Sequence, residues 1–296
     1  METYSNWEDV PAHLKTKTGL KKLGLRPKRD QQPVAVKTHW RWKIPDYDLY
    51  DQNEAEAYTV SDAQKQALEK ARAASLAKRT CKGCGYEQEL GQHYKHKVYV
   101  TDGYCPRCHR DLACEADRLA AIDWAKAILD AVADGVIEAW EVLILDSETT
   151  DLYGEIIELG VIDLTGNEIY HSRFKPVLAI APGAQRVHGI SADDLAECPD
   201  FAGEYPKIRD LLEGAGKVLI YNAPYDVGCL QITCDKHGVE RFDFNAECLM
   251  AWYAMYVNNW SHYYRDYKYP ALGGDHSAVG DCRAALSVLR EMAGRE

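Results

Sequence analysis

The 296-residue chain lacks any long apolar run. Its longest apolar stretches, such as Val142 to Leu145, have the length of a strand. A membrane-spanning helix needs roughly 20 apolar residues, so no membrane partner is expected. No segment reads as an export signal, and no stretch repeats at a fixed period. The expectation is a soluble, cytoplasmic protein in a reducing compartment, where ten cysteines are not expected to form disulfides. Positive charge is also scarce, with a net charge of −11. That deficit argues against a phosphate-binding chain until it is divided along the sequence. Residues 1–110 carry 20 Lys+Arg against 14 Asp+Glu, a net of +6, and the remainder carries 15 against 32, a net of −17. A basic front and an acidic back suggest a division of labour between two or more domains.

What is present falls into three segments. Residues 1–60 are poorly periodic and read as a basic, aromatic arm. Leu14 to Pro27 is basic, and Lys37-Thr-His-Trp-Arg-Trp-Lys43 interleaves cations with aromatics. That mixture suits nucleic-acid contact or an arm packed on a neighbouring domain. Residues 61–140 read as a helical module. Ser61 with Gln64 forms a capping-box pattern ahead of Ala63, Ala67, Leu68, Ala71 and Ala74, and a second helix is expected from about Ala113 to Val136. From residue 141 to 296 strands and helices alternate. Val142–Leu145, Ile156–Asp163 and Glu168–Phe174 read as strands, the last two joined at Thr165-Gly166-Asn167, and Lys217–Tyr221 as a fourth. Helices are expected near 202–213, 224–237, 246–257 and 277–292, giving an α/β domain with a mixed sheet.

The cysteines divide in the same way. Cys198, Cys229, Cys234, Cys248 and Cys282 are scattered among apolar neighbours and read as core residues. Cys81-x2-Cys84 and Cys105-x2-Cys108 are separated by a spacer of 20 residues. Each pair sets two thiolates on one knuckle, and two knuckles complete a tetrahedral, structural Zn²⁺ shell. His93, His96, His109 and Cys114 are alternative ligands, ranked below the four cysteines.

Acidic residues end two of the expected strands. Asp146 and Glu148 follow the apolar run 142–145 at spacing i, i+2, which puts both carboxylates on one face. Asp226 falls in the first turn of a helix opened by Asn222 and Pro224. The third group is His276-Ser-Ala-Val-Gly-Asp281. Five residues on a helix amount to roughly 140° of rotation, so the pair can converge only if His276 lies on a loop ahead of the helix. Gly273-Gly274 supplies a loop and Ser277 a cap. Singly, each acid has a plain structural explanation as a solvated strand end or a helix-dipole partner.

Together these residues resemble the DEDDh exonucleases of the ribonuclease H-like superfamily, which include the proofreading subunit of bacterial replicative polymerase, ribonuclease T and oligoribonuclease. The resemblance covers about 141–293. It rests on Leu-Asp146-Ser-Glu148-Thr-Thr, Glu155-Ile-Ile-Glu-Leu-Gly160, Tyr221-Asn222-Ala-Pro-Tyr-Asp226 and His276-x-Ala278-x-x-Asp281. Arg186-Val-His188-Gly189-Ile190-Ser191, followed by Asp194-Leu195, looks like the segment by which proofreading-type members contact the terminal nucleotide. The resemblance implies a ribonuclease H-like exonuclease fold, a mixed sheet flanked by helices, behind a small α+β or irregular zinc-binding domain.

It further implies a 3′→5′ exonuclease that releases nucleoside monophosphates with two Mg²⁺ or Mn²⁺ ions, hard cations that take oxygen ligands. Asp146 would bridge both ions, Glu148 and Asp281 would hold the one carrying the nucleophilic water, and Asp226 would support the other. His276 would serve as general base. Thr149, His188, Ile190 and Asn222 are candidates for gripping the 3′ nucleotide. Single-stranded DNA is favoured as substrate, in repair or beside a polymerase or other replication partner, although no polymerase-binding motif is recognisable. An exoribonuclease and a non-catalytic nucleic-acid adaptor are the alternatives. The chain departs from the family at Asp151, where Gly often follows the Thr-Thr pair, and in its short loop to Glu155. The Tyr- and Trp-rich segment Trp252 to Tyr269 is expected to pack on the amino-terminal domain or to stack on bases.

Overall fold

The computed structural model describes residues 1–39, 45–88 and 100–295. Trp40, Arg41, Trp42, Lys43, His93 and His96 lie outside the described residues. The chain forms two compact units, Met1–Cys105 and Pro106–Glu296. Among the described residues no helix is long and apolar enough to cross a membrane.

In the first unit, residues expected as an irregular arm instead form a small sheet. Its strands run in the order Glu2–Tyr4, Ala35–Lys37, Tyr47–Asp51, Leu14–Lys15, closed over Leu14, Ala35 and Leu49. Strands of two to five residues are too short to show alternation, which is why they escape a periodicity reading. Lys37 is buried, and its ammonium donates to the carbonyls of Ser5 (2.8 Å) and Thr38 (2.7 Å). This cation is consumed inside the unit and is not offered to a phosphate. The helix Asp62–Arg79 carries its expected capping box, with Ser61 and Gln64 bonded reciprocally. Its alanine-rich face is not buried, and Leu68 stands 50% exposed.

The second unit begins with helix α1 (Pro106–Ala133), longer than expected at its amino end. Ala121, Ala125 and Leu129 of α1 are buried in the main core, so this helix belongs to the second unit. The boundary therefore lies after Cys105 rather than near residue 140. The sequence shows an apolar face on this helix through Leu119, Ile122, Ala125, Ile128 and Leu129, but not that the α/β core is what covers it.

The five-stranded sheet consists of β1 (Val142–Thr149), β2 (Ile156–Asp163), β3 (Glu168–Arg173), β4 (Lys217–Ile220) and β5 (Ala246–Cys248). Its order is β5-β4-β1-β2-β3, with β1, β4 and β5 parallel and β2 and β3 antiparallel to their neighbours. The mixed α/β sheet expected from the sequence is present. Alternation along β1 divides the core in two. Val142 and Ile144 face α1 and α6 (Ala278–Met292), whereas Leu143 and Leu145 face α3 (Phe201–Gly214) and α4 (Ala223–His237). Helix α2 (Pro182–His188) and α5 (Leu249–Val257) complete the unit. Trp252 of α5 stacks on Trp124 of α1 at 4.8 Å, so this part of the aromatic segment is packed within the unit.

Gly160 of β2 lets the sheet approach the start of α6. A Cβ there would lie 2.7 Å from the Ala278 carbonyl carbon, backbone that has little freedom to yield. Gly160→Ala should therefore destabilise the protein by about 1–3 kcal/mol, read from chemical denaturation. Wild-type stability in that variant would contradict the close packing.

Candidate active site

The alternation that divides the core also builds the site. Beyond Ile144, the same face of β1 carries Asp146 and Glu148 towards α6; beyond Leu145, the opposite face carries Ser147 and Thr149 towards α4. The consequences are visible in the hydrogen bonds. Ser147 Oγ donates to Asp226 Oδ1 at 2.6 Å, and the Thr149 and Tyr225 hydroxyls lie 2.8 Å apart. Asp226 stands in the first turn of α4, as its sequence context implies. Asp146 and Glu148 lie within β1, which is longer than expected, rather than beyond its end.

His276 occupies the loop ahead of α6, as helix geometry demands. Its φ of 59° is left-handed, and Ser277 caps the helix by accepting the Gly280 N–H at 3.2 Å. The His276 amide donates to Asp281 Oδ1 at 3.1 Å. Gly274 cannot bear a side chain, since a Cβ would fall within van der Waals contact of the Asp281 carboxylate. Ligand atoms of Glu148, His276 and Asp281 lie within 4.8 Å of one another. Asp146, Glu148, Asn222, Asp226, His276 and Asp281 all line one cleft.

The charges in this cleft are not compensated. Burial first, then the carboxylates of Asp226, Asp281 and Glu148, push the Asp146 acid far above its ordinary value. Burial and Asp281 push Glu148 up to about 8, and burial also raises Asp226 and Asp281. Glu158, directly across the sheet from Glu148, behaves oppositely. Burial opposes its ionisation, but Arg173 Nε (2.7 Å), the Ala278 amide (3.1 Å) and His171 Nε2 (3.2 Å) outweigh that and hold it below its ordinary value. Glu158 is thus a satisfied anion that fixes the start of α6, and Glu148 is an acid with no counter-ion to favour its ionised form. Buried acids of one sign with oxygen donors turned into a cleft fit hard divalent cations.

Beside the cleft, and sharing Glu148 and Tyr225 with it, a recess is lined by Thr149, Asp151, Leu152, Val187 and His188. The structure thus brings Thr149 and His188 together and places Asn222 in the cleft. Ile190 is not brought there: it is buried with Ile157 and Leu195. Ser147, Tyr225 and Glu158 were not singled out from sequence. Strand alternation from Leu145 could have found the first, and its proximity in sequence to Asp226 the second.

Four cysteines form a second ligand group. The thiols of Cys81, Cys84, Cys105 and Cys108 all fall within 4.8 Å of one another. Two short antiparallel bridges, Thr80 with Glu87 and Thr101 with Tyr104, shape the knuckles. The Cys105 amide, 3.2 Å from Cys81 Sγ, is the main cause that brings the Cys81 thiol down to about 6. A donor set of four thiols, one favouring the thiolate, fits Zn²⁺.

The second unit is similar in sequence to known proteins. Residues 143–289 match the RNase_T family model, described as exonuclease. DNA polymerase III subunit epsilon of Pasteurella multocida is 38% identical over 99 residues, covering 29% of this chain and 38% of that protein. The Escherichia coli K12 subunit is 34% identical over 99 residues, covering 29% and 40%. The chain thus matches about two fifths of the length of these relatives. Exonuclease X in complex with 5′ overhanging duplex DNA is 23% identical, with a TM-score of 0.38, covering 52% of this chain and 94% of that one.

The uncompensated charge has a measurable consequence. Glu148 titrates higher in the folded protein, at about 8, than in the unfolded chain, near its ordinary 4.5. The folded state therefore binds the extra proton, and stability due to Glu148 falls as pH rises between those values. In EDTA, wild type should lose stability relative to Glu148→Gln across that window, and Mn²⁺ should remove the difference. A pH-independent difference in EDTA would show that Glu148 is already neutralised.

Proposed function

We propose that this chain, whose residues 143–289 match the RNase_T exonuclease model, is a metal-dependent 3′→5′ exonuclease of the DEDDh type acting on nucleic acid with a free 3′ end, single-stranded DNA by preference. The observation that carries this reading is the convergence of Asp146, Glu148, Asp226, Asp281 and His276 on one cleft with their negative charge unmatched. A non-catalytic adaptor would have no use for so unfavourable a concentration of buried acids. DNA is preferred over RNA because the matched relatives are named as DNA polymerase subunits. Association with a polymerase or another repair partner is proposed on the same ground.

In this reading Asp146, Glu148, Asp226 and Asp281 hold divalent ions, Mg²⁺ or Mn²⁺, which supply neutralisation of the attacking and leaving oxygens of the phosphodiester. Ser147 orients the Asp226 carboxylate, and the His276 amide and Gly274 together fix that of Asp281. The exposed His276 imidazole, beside Glu148 and Asp281, accepts the proton of the attacking water. Thr149, His188 and Asn222 seat the terminal nucleotide, with Tyr225 holding the Thr149 hydroxyl in place. The four cysteines hold one structural Zn²⁺ that ties the two knuckles together.

Two measurements test this. End-labelled single-stranded DNA, duplex DNA and RNA should be compared in Mg²⁺, Mn²⁺ and EDTA. Metal-dependent shortening from the 3′ end is expected, fastest on single-stranded DNA. Asp146→Ala should abolish it, and His276→Ala should slow it by about 10²–10⁴-fold. No shortening of any substrate would overturn the enzyme assignment, and full activity in His276→Ala would remove its role as base. Separately, metal analysis of the purified protein should find close to one Zn²⁺ per chain, lost when Cys81 and Cys84 are replaced by Ser. Protein free of zinc as purified would refute the structural metal.

A further inference from the structure

Downstream of α5, Trp260–Ser261 (β6) and Asp266–Tyr267 (β7) form an antiparallel hairpin that takes no part in the carboxylate cleft. Its base is firmly held. Tyr267 packs edge-on against Trp260 at 5.2 Å, and its hydroxyl donates to Asp117 of α1 at 2.8 Å. Its tip is different. Tyr263 and Tyr264 are 86% and 76% exposed, their rings perpendicular at 4.8 Å. Neither supports the core, and two large rings left in water on one turn call for a partner.

Basic residues lie on and beside the same turn. His262 Nδ1 lies 3.4 Å from Arg110 of α1; Arg265, in a left-handed conformation with φ 57°, closes the turn; and Lys268 follows β7. Arg110 is paired with Asp111 at 3.1 Å, and Asp266 and Asp117 accept the Tyr267 amide and hydroxyl, which leaves Arg265 and Lys268 as exposed cations with no ion pair among the described residues. The hairpin is also continuous with the cleft. Three residues beyond β7 the chain reaches Pro270, Ala271 and Leu272, which line the cleft, and the Tyr221 hydroxyl donates to the Pro270 carbonyl at 2.8 Å.

We propose that the hairpin tip is a stacking platform for the single-stranded segment of the substrate that leads into the cleft. Bases upstream of the 3′ end stack on Tyr263 and Tyr264, while Arg265 and Lys268 meet the phosphates between them. Exposed rings interleaved with cations suit this ligand because every base has a π-face and every linkage a negative charge. An apolar protein partner would have no use for the flanking cations. The proposal rests on the reading that the cleft acts on nucleic acid. It adds a grip within the acidic half of the chain, where net charge alone would repel the substrate.

The test uses the full chain and two pairs of substitutions, Tyr263→Ala with Tyr264→Ala and Tyr263→Phe with Tyr264→Phe. In EDTA, fluorescence anisotropy with an oligothymidylate of about 20 nucleotides should show roughly tenfold weaker binding for the alanine pair and wild-type binding for the phenylalanine pair. With Mn²⁺, KM on that oligonucleotide should rise in proportion while kcat is kept. Hydrolysis of the p-nitrophenyl ester of thymidine 5′-monophosphate, too small to reach the hairpin, should be unchanged. Equal binding by the alanine pair and wild type would overturn the platform. So would an equal loss in the phenylalanine pair, since stacking needs the ring and not the hydroxyl. Absence of turnover by wild type on either substrate would count against the exonuclease reading alone, because the binding measurement requires no catalysis.

Discussion

The second unit is organised around a repulsion. Four carboxylates are brought into one cleft at the end of the sheet with no lysine or arginine among the residues that line it. Such a cluster destabilises the fold in the absence of cations, and it persists because the surrounding packing over-determines it. Asp146 and Glu148 are fixed by a strand hydrogen-bonded on both sides, Asp226 by Ser147, and Asp281 by the His276 amide. The fold stabilises the site mechanically, and its charge is left for an ion to balance.

Two glutamates facing each other across β1 and β2 show how finely this is arranged. Glu158 receives Arg173, His171 and the Ala278 amide, and becomes a fixed anion that anchors the loop bearing His276. Glu148 receives none of these and stays an acceptor for whatever enters the cleft. Removing partners from one carboxylate while supplying them to its neighbour separates a structural role from a chemical one in residues of identical type. Gly160 contributes to the same end, since only its missing side chain lets Ala278 come near enough for the Glu158 bond.

The charge asymmetry along the chain takes on a narrower meaning. Part of the basic front is engaged within its own unit: Lys37 is buried, and Lys17 lies over the ring of Tyr50 at 5.4 Å. Within the acidic back, exposed Arg265 and Lys268 stand on and just after the hairpin, a few residues ahead of the segment that lines the cleft. Substrate grip in such a design depends on where a few cations stand more than on their sum.

The sequence by itself determined the five site residues, the strand at 142, the helix-capping serines at 61 and 277, and the paired cysteine knuckles. Each of these is local: period-two alternation, a cap three residues from its amide, or a two-residue metal spacing. It also required His276 to stand on a loop, because 3.6 residues per turn forbid it to share a helical face with Asp281. Only tertiary structure decided that α1 belongs to the second unit, that Ile190 and Lys37 are buried, and that Glu158 is a strut. It also decided which aromatics of the segment from Trp252 pack inside and which face water. Those outcomes depend on contacts between residues tens to more than a hundred positions apart, such as Trp124 with Trp252 and Glu158 with Ala278. A one-dimensional pattern carries no record of such pairs, since the same polar or apolar residue satisfies either placement until a partner element arrives.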